Sequence, residues 1–201
     1  MPDGLVGLFD MDGTLFNHDA AVLRDLNKIR SPQEEEYTSI PHGDDKPEWL
    51  EQRIRLVRSQ PGWWRNLEKY QPGWDVYEIA VELGFCIEIL TKGPRSNPQA
   101  WAEKVECIMK HFDEDVVPNI VGKTKKRYHG RFLVDDYPVY CEDWLNRRPR
   151  GLVIMPAHDY NANFVHPRAI RYDGTNLNQI RKALEIVKAR KDGEPLNLSY
   201  L

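Results

Sequence analysis

Cysteine is scarce in this chain: Cys86, Cys107 and Cys141 are the full complement. Three thiols far apart, with no pair at metal-ligand spacing, argue against a disulfide framework or a zinc module and for free thiols in a reducing compartment. No apolar run approaches the ~20 residues that a membrane span needs. The N-terminus also lacks a basic region leading into an apolar stretch and a cleavage site. A cytoplasmic protein with no membrane association is therefore expected. Neither sign of charge dominates: 28 Lys and Arg stand against 31 Asp and Glu, a net charge of −3. No broad basic field invites a stable nucleic-acid partner. Internal repeats and low-complexity tracts are missing too, which argues against a solenoid.

What is present is a chain of 201 residues with 41% apolar content, enough for one domain with an insertion or a small second unit. Continuous short apolar runs read as buried strands: "LVGLF" (5–9), "FCIEILT" (85–91), "VVPNIV" (116–121), "RFLVDD" (131–136) and "GLVIM" (151–155). Between and after them, 72–84, 97–112 and 177–191 carry apolar residues at helical spacing. Alternating strands and helices predict an α/β fold, a Rossmann-like parallel sheet with helices on both faces. Residues 17–71 break the pattern: they are charged, helix-prone and interrupted by Pro32, Pro41, Pro47 and Pro61. They predict a small, mostly helical cap inserted after the first strand, with residues 1–16 and 72–201 forming the core. The acidic run Glu34-Glu35-Glu36 reads as a solvated helix face.

The first strand runs straight into Asp10 and Asp12, with Gly13 behind them. Carboxylates at the end of a core strand are costly unless paired. In a doubly wound sheet, ligands collect beyond the carboxyl ends of the strands. Read on that basis, Asp10, Thr91, Asp135 and Asp136 share one edge, with Lys125 ten positions ahead of Asp135. Clustered carboxylates repel one another, and a hard divalent cation relieves that repulsion; Mg²⁺ suits oxygen ligands and phosphate oxygens. An Asp-x-Asp-Gly pattern also occurs in calcium loops, but no further acids follow at that spacing. Lys125 lies in a basic run, and Lys123 is its alternate.

The motifs "DMDGT" (10–14), "ILT" ending at Thr91, Lys125 in "GKTKKRYHG" and "LVDD" (133–136) resemble those of the haloacid dehalogenase superfamily, mostly phosphohydrolases. That resemblance implies that Asp10 is a nucleophile forming an aspartyl-phosphate and that Asp12 serves as general acid and then base. It further implies Mg²⁺ held by Asp10, the Asp12 backbone carbonyl, Asp135 and Asp136, with Thr91 and Lys125 on the phosphoryl oxygens. A carboxylate at position 12 favours phosphate transfer over dehalogenation within that superfamily.

A narrower likeness follows. "PGWWRNL" (61–67) followed by a second "PGW", "LVDDYPVYCEDW" (133–144) and "AHDYNANFVHPRAIRYDG" (157–174) are similar to the 5'(3')-deoxyribonucleotidases. This implies a nucleoside monophosphate substrate, deoxyribonucleotides by preference, with Trp63 or Trp64 against the base. Lys92 and Gly93 follow Thr91 where that family tends to have Ser-Pro; the added cation either grips phosphate or marks a different substrate. The alternative function is a phosphatase of another small phosphometabolite or of a polynucleotide 3' end. Monomer and homodimer are both open.

Overall fold

The computed structural model describes residues 5–42 and 46–198. Six strands, β1 (Val6–Phe9), β2 (Cys86–Lys92), β3 (Val117–Val121), β4 (Phe132–Val134), β5 (Leu152–Pro156) and β6 (Ala169–Tyr172), form one sheet in the order β3-β2-β1-β4-β5-β6. Every pairing is parallel. Neighbouring residues of β1 face opposite ways: Phe9 enters one apolar cluster and Leu8 the other. Helices α3 (Gln71–Glu82), α4 (Pro98–His111) and α6 (Leu177–Ala189) bury residues in the Phe9 cluster, and α5 (Pro138–Arg147) places Cys141, Trp144 and Leu145 in the Leu8 cluster. The expected α/β fold with both sheet faces covered is what the chain adopts. No helix among the described residues is long and apolar enough to cross a membrane.

The 17–71 span contains α1 (His18–Ile29) and α2 (Glu48–Arg58), which pack on each other. It leaves and rejoins the rest of the chain at a narrow neck. Asn17 N–H donates to Glu68 O at 2.8 Å and Tyr70 N–H to Leu15 O at 2.9 Å, around a bridge between Phe16 and Lys69. Beside the neck, Gly73 runs so close to the Thr14 carbonyl that a Cβ would come within 1.8 Å of its oxygen. Only glycine fits there.

Three expectations need correction. Glu34–Glu36 is not a helix face: α1 ends at Ile29, and the run lies in an irregular segment. Pro32 disfavours helical backbone at Ser31, and the run is instead tied down through Arg53, which reaches Glu34 Oε2 and Tyr37 Oη at 2.8 Å each. The sheet also has a sixth strand, β6, which four residues with two inward apolar side chains signal too weakly. Helix α5 is a further addition, entered through Pro138 in its first turn.

Candidate active site

Strand order reverses at β1: the chain steps from it to β2 on one side and has β4 on the other. The carboxyl ends of β1 and β4 therefore sit side by side at the switch point, where open α/β sheets place ligands. Asp10 follows β1 and keeps the ladder going, its N–H donating to Val134 O at 2.8 Å. Asp135 and Asp136 follow β4. The carboxylates of Asp10, Asp135 and Asp136 offer oxygens within 4.8 Å of one another, and all three residues are buried.

Lys125, from the β3–β4 connection, puts Nζ at 2.7 Å from Asp10 Oδ2 and 2.6 Å from Asp135 Oδ2. Burial opposes the charge of Lys125, but these two carboxylates more than offset it and hold the amine protonated. Asp136 accepts hydrogen bonds from Thr14 Oγ1 at 2.8 Å and Tyr160 Oη at 2.5 Å. One lysine does not balance three carboxylates. Burial first, and mutual repulsion with Asp10 second, raise Asp135 and Asp136 above the ordinary carboxylate range. A buried set of three acidic oxygen donors short of positive charge fits a hard divalent cation such as Mg²⁺.

Gly13 turns the chain beneath this cluster with φ of 74°. A side chain there is opposed twice, because a Cβ would also come 2.6 Å from Asp136 Oδ2. His158 fixes the turn: its Nε2–H donates to Gly13 O at 2.6 Å while its ring stacks between Tyr70 and Tyr160.

Asp12 lies outside the carboxylate cluster. Its Oδ2 accepts from Lys104 Nζ, and its buried Oδ1 has no partner among the described residues. Lys104 is fully buried and also donates to Thr91 Oγ1 at 3.0 Å and to the Lys92 carbonyl at 2.9 Å. Lysine and threonine thus fasten the end of β2 to Asp12. Sequence reading missed Lys104, although a signal exists: with Glu103 it lies among Ala100, Cys107 and Ile108 on the buried side of α4, and a lysine there demands a partner. Tyr160 and His158 were also missed; they come from the segment after β5, which carries no strand or helix pattern.

The structure brings Asp10, Lys125, Asp135 and Asp136 together, with Asp12 and Thr91 joined to each other through Lys104. Lys123 lies exposed on the wall of the adjoining cavity, and Lys92 donates to Tyr140 Oη at 2.9 Å. The tryptophan pair is different. Trp63 and Trp64 meet edge to face at 4.9 Å and are 8% and 4% exposed. Trp63 Nε1 donates to Asp25 Oδ2 and Trp64 Nε1 to the Arg58 carbonyl, each at 3.0 Å. Glu103 on α4 accepts from the N–H groups of Gly62 (2.7 Å) and Trp64 (3.1 Å), which pins their turn to the core. Trp64 borders the cavity, and Trp63 packs behind it. The cavity has a volume of about 1410 Å³ and is walled by α2, the ends of β1, β2 and β4, and Tyr137, Tyr140 and Tyr160.

No protein-family model and no curated protein matches the chain. Solved structures do. A haloacid dehalogenase-like hydrolase from Burkholderia xenovorans LB400 aligns with TM-score 0.54 and 17% identity, over 92% of this chain and 98% of that one. A protein from Thermotoga maritima assigned as a beta-phosphoglucomutase aligns with TM-score 0.53 and 12% identity, over 90% and 98%. At these identities the likeness establishes the architecture: the chain has the fold of haloacid dehalogenase-like hydrolases.

Proposed function

We propose that the protein is a Mg²⁺-dependent phosphomonoesterase of nucleoside monophosphates, with deoxyribonucleotides preferred, working through an aspartyl-phosphate on Asp10. The observation that carries this reading is the buried Asp10–Lys125–Asp135–Asp136 cluster at the switch point, with a second carboxylate, Asp12, two residues beyond the first. Asp10, Asp135 and Asp136 would hold the cation, which when bound offsets phosphate charge and orients the group.

An Asp10 carboxylate oxygen attacks phosphorus as the ester P–O bond breaks, and Asp12 gives its proton to the departing oxygen. Asp12 then takes a proton from water, whose oxygen attacks phosphorus; inorganic phosphate leaves and Asp10 is regenerated. Oδ1 of Asp12, buried and without a hydrogen-bond partner among the described residues, is the oxygen left for this exchange, since Lys104 occupies Oδ2. Lys125 and Thr91 offset charge on the phosphoryl oxygens in flight. Helices α1 and α2 with the 61–66 turn act as a cap that keeps water out. The aromatic lining, Trp64 with Tyr137 and Tyr140, supports a planar base as the leaving group's body.

The test is phosphate release from a panel of deoxyribo- and ribonucleotides, with Mg²⁺ and with chelator. Turnover of deoxynucleoside monophosphates that chelator abolishes is expected. Substantial turnover in chelator would sink the metal assignment, and indifference between nucleotides and sugar phosphates would sink the nucleotide.

A further inference from the structure

Glu51 on α2 is surrounded by cations. Lys46 Nζ lies 3.4 Å, Arg55 Nε 3.1 Å and Arg58 Nη2 3.3 Å from its carboxylate. Glu51 is the one acid paired with these three cations, since the nearby Asp12 is taken up by Lys104 and Asp19 by His18 and His42, and Glu51 and the three cations all line the cavity. Arg95 and Lys123 line the same space and form no ion pair among the described residues. Arg58 also feels the charges of Asp12 and Asp19. The phosphoryl site has its own lysine, Lys125, buried and already paired with Asp10 and Asp135.

Arg58 is the best placed of the group. Its backbone carbonyl accepts from Trp64 Nε1 (3.0 Å) and Asn97 Nδ2 (3.4 Å), so the end of α2 is anchored to the core side of the cavity. Its guanidinium, with five donors, has one hydrogen-bond acceptor among the described residues, Glu51. Burial lowers its pKa, an unfavourable state that an anion beside it would relieve. A volume of about 1410 Å³ also exceeds the ~300–1,000 Å³ of ordinary small-molecule sites.

We infer that the substrate carries a second anionic group, gripped by Arg58, Arg55 and Lys46 on α2 while the first phosphate lies against Asp10. The substrate class is a bisphosphorylated small molecule; under the phosphomonoesterase reading on which this rests, it is a nucleoside 3',5'-bisphosphate, taken in preference to the corresponding monophosphate.

The experiment compares matched pairs with Mg²⁺: deoxyadenosine 3',5'-bisphosphate against deoxyadenosine 5'-monophosphate, and fructose 1,6-bisphosphate against fructose 6-phosphate. p-Nitrophenyl phosphate gauges the chemistry itself. In at least one pair kcat/KM should favour the bisphosphate about tenfold or more, the scale of one charge-assisted hydrogen bond. Arg58→Gln should pull that ratio towards one and Arg58→Lys should restore part of it, with the exposed Arg55→Gln as a second variant. Kd values for the same pairs, measured on Asp10→Asn protein, read the preference without turnover. Ratios near one in both pairs, by kcat/KM and by Kd, overturn the inference and, if p-nitrophenyl phosphate is hydrolysed, leave the phosphatase reading standing. A bisphosphate preference in binding with no turnover of any ester upholds the anion site and overturns the phosphatase reading. Stronger preference for a 3'-phosphorylated oligodeoxynucleotide than for either bisphosphate also overturns the inference.

Discussion

Replacing the Asp10 carboxylate by an amide preserves volume and removes the attacking oxygen. Asp10→Asn should therefore fold and bind Mg²⁺ weakly, with phosphate release near background; retention of a large fraction of activity would mean that the aspartyl-phosphate route is wrong. Lys125 and Lys123 offer a sharper comparison. Lys125 is buried against two carboxylates, whereas Lys123 is a solvated wall residue. Lys125→Ala should lose roughly 10²-fold or more in kcat, like removal of one preorganised transition-state donor, and Lys123→Ala should be mild. The reverse ranking would move the phosphate clamp to Lys123. At this scale much of the site was legible, because Asp10, Thr91, Asp135 and Asp136 are polar residues interrupting apolar strand ends. Lys104 was hidden by the opposite circumstance: it lies in the middle of a helix, where a lysine is ordinarily solvated, and its partner Asp12 is far away in sequence.

The 61–66 turn owes its position to Glu103, and its tryptophans are mostly interior. Trp63→Ala should thus be read in stability, with a loss of about 3–5 kcal/mol in denaturant unfolding, the usual cost of emptying a buried aromatic site. Trp64→Ala should raise KM for nucleotides by roughly 10- to 100-fold through loss of a base neighbour, with a smaller change for p-nitrophenyl phosphate. Equal effects on both substrates would make Trp64 packing alone. Elements with long continuous patterns, such as β2 and α4, were legible to within a residue or two. Strand β6 was not, since an edge position asks for few apolar residues, and neither was the end of α1, where Pro32 outweighs the helix preference of three glutamates.

For the molecule as a whole, the carboxylate cluster links proton, metal and stability. Asp135 and Asp136 are raised in the metal-free fold, so the native state binds more protons than the unfolded one between about pH 4, the ordinary carboxylate value, and neutrality. Their contribution is full below that range and is lost as pH rises through it. His111 and His158, depressed by burial, push the other way. The Mg²⁺-dependent difference in Tm isolates the cluster: it should be small near pH 5 and grow towards pH 8. A difference that is flat or shrinks with pH would show that the three carboxylates do not hold the ion.

Adjacent β1 and β4 also bear on how the chain reaches its native state. Asp10 is made well before its neighbours Asp135 and Asp136, which arrive only after β2 and β3, so β1 must wait for a distant partner before its central ladder is complete. Such non-local pairing is slow, because loop closure precedes any reward. Until it happens the chain has a lone aspartate and no cage for a cation. Tight metal uptake would then be a late event in folding, and a divalent ion would report on finished topology rather than template it.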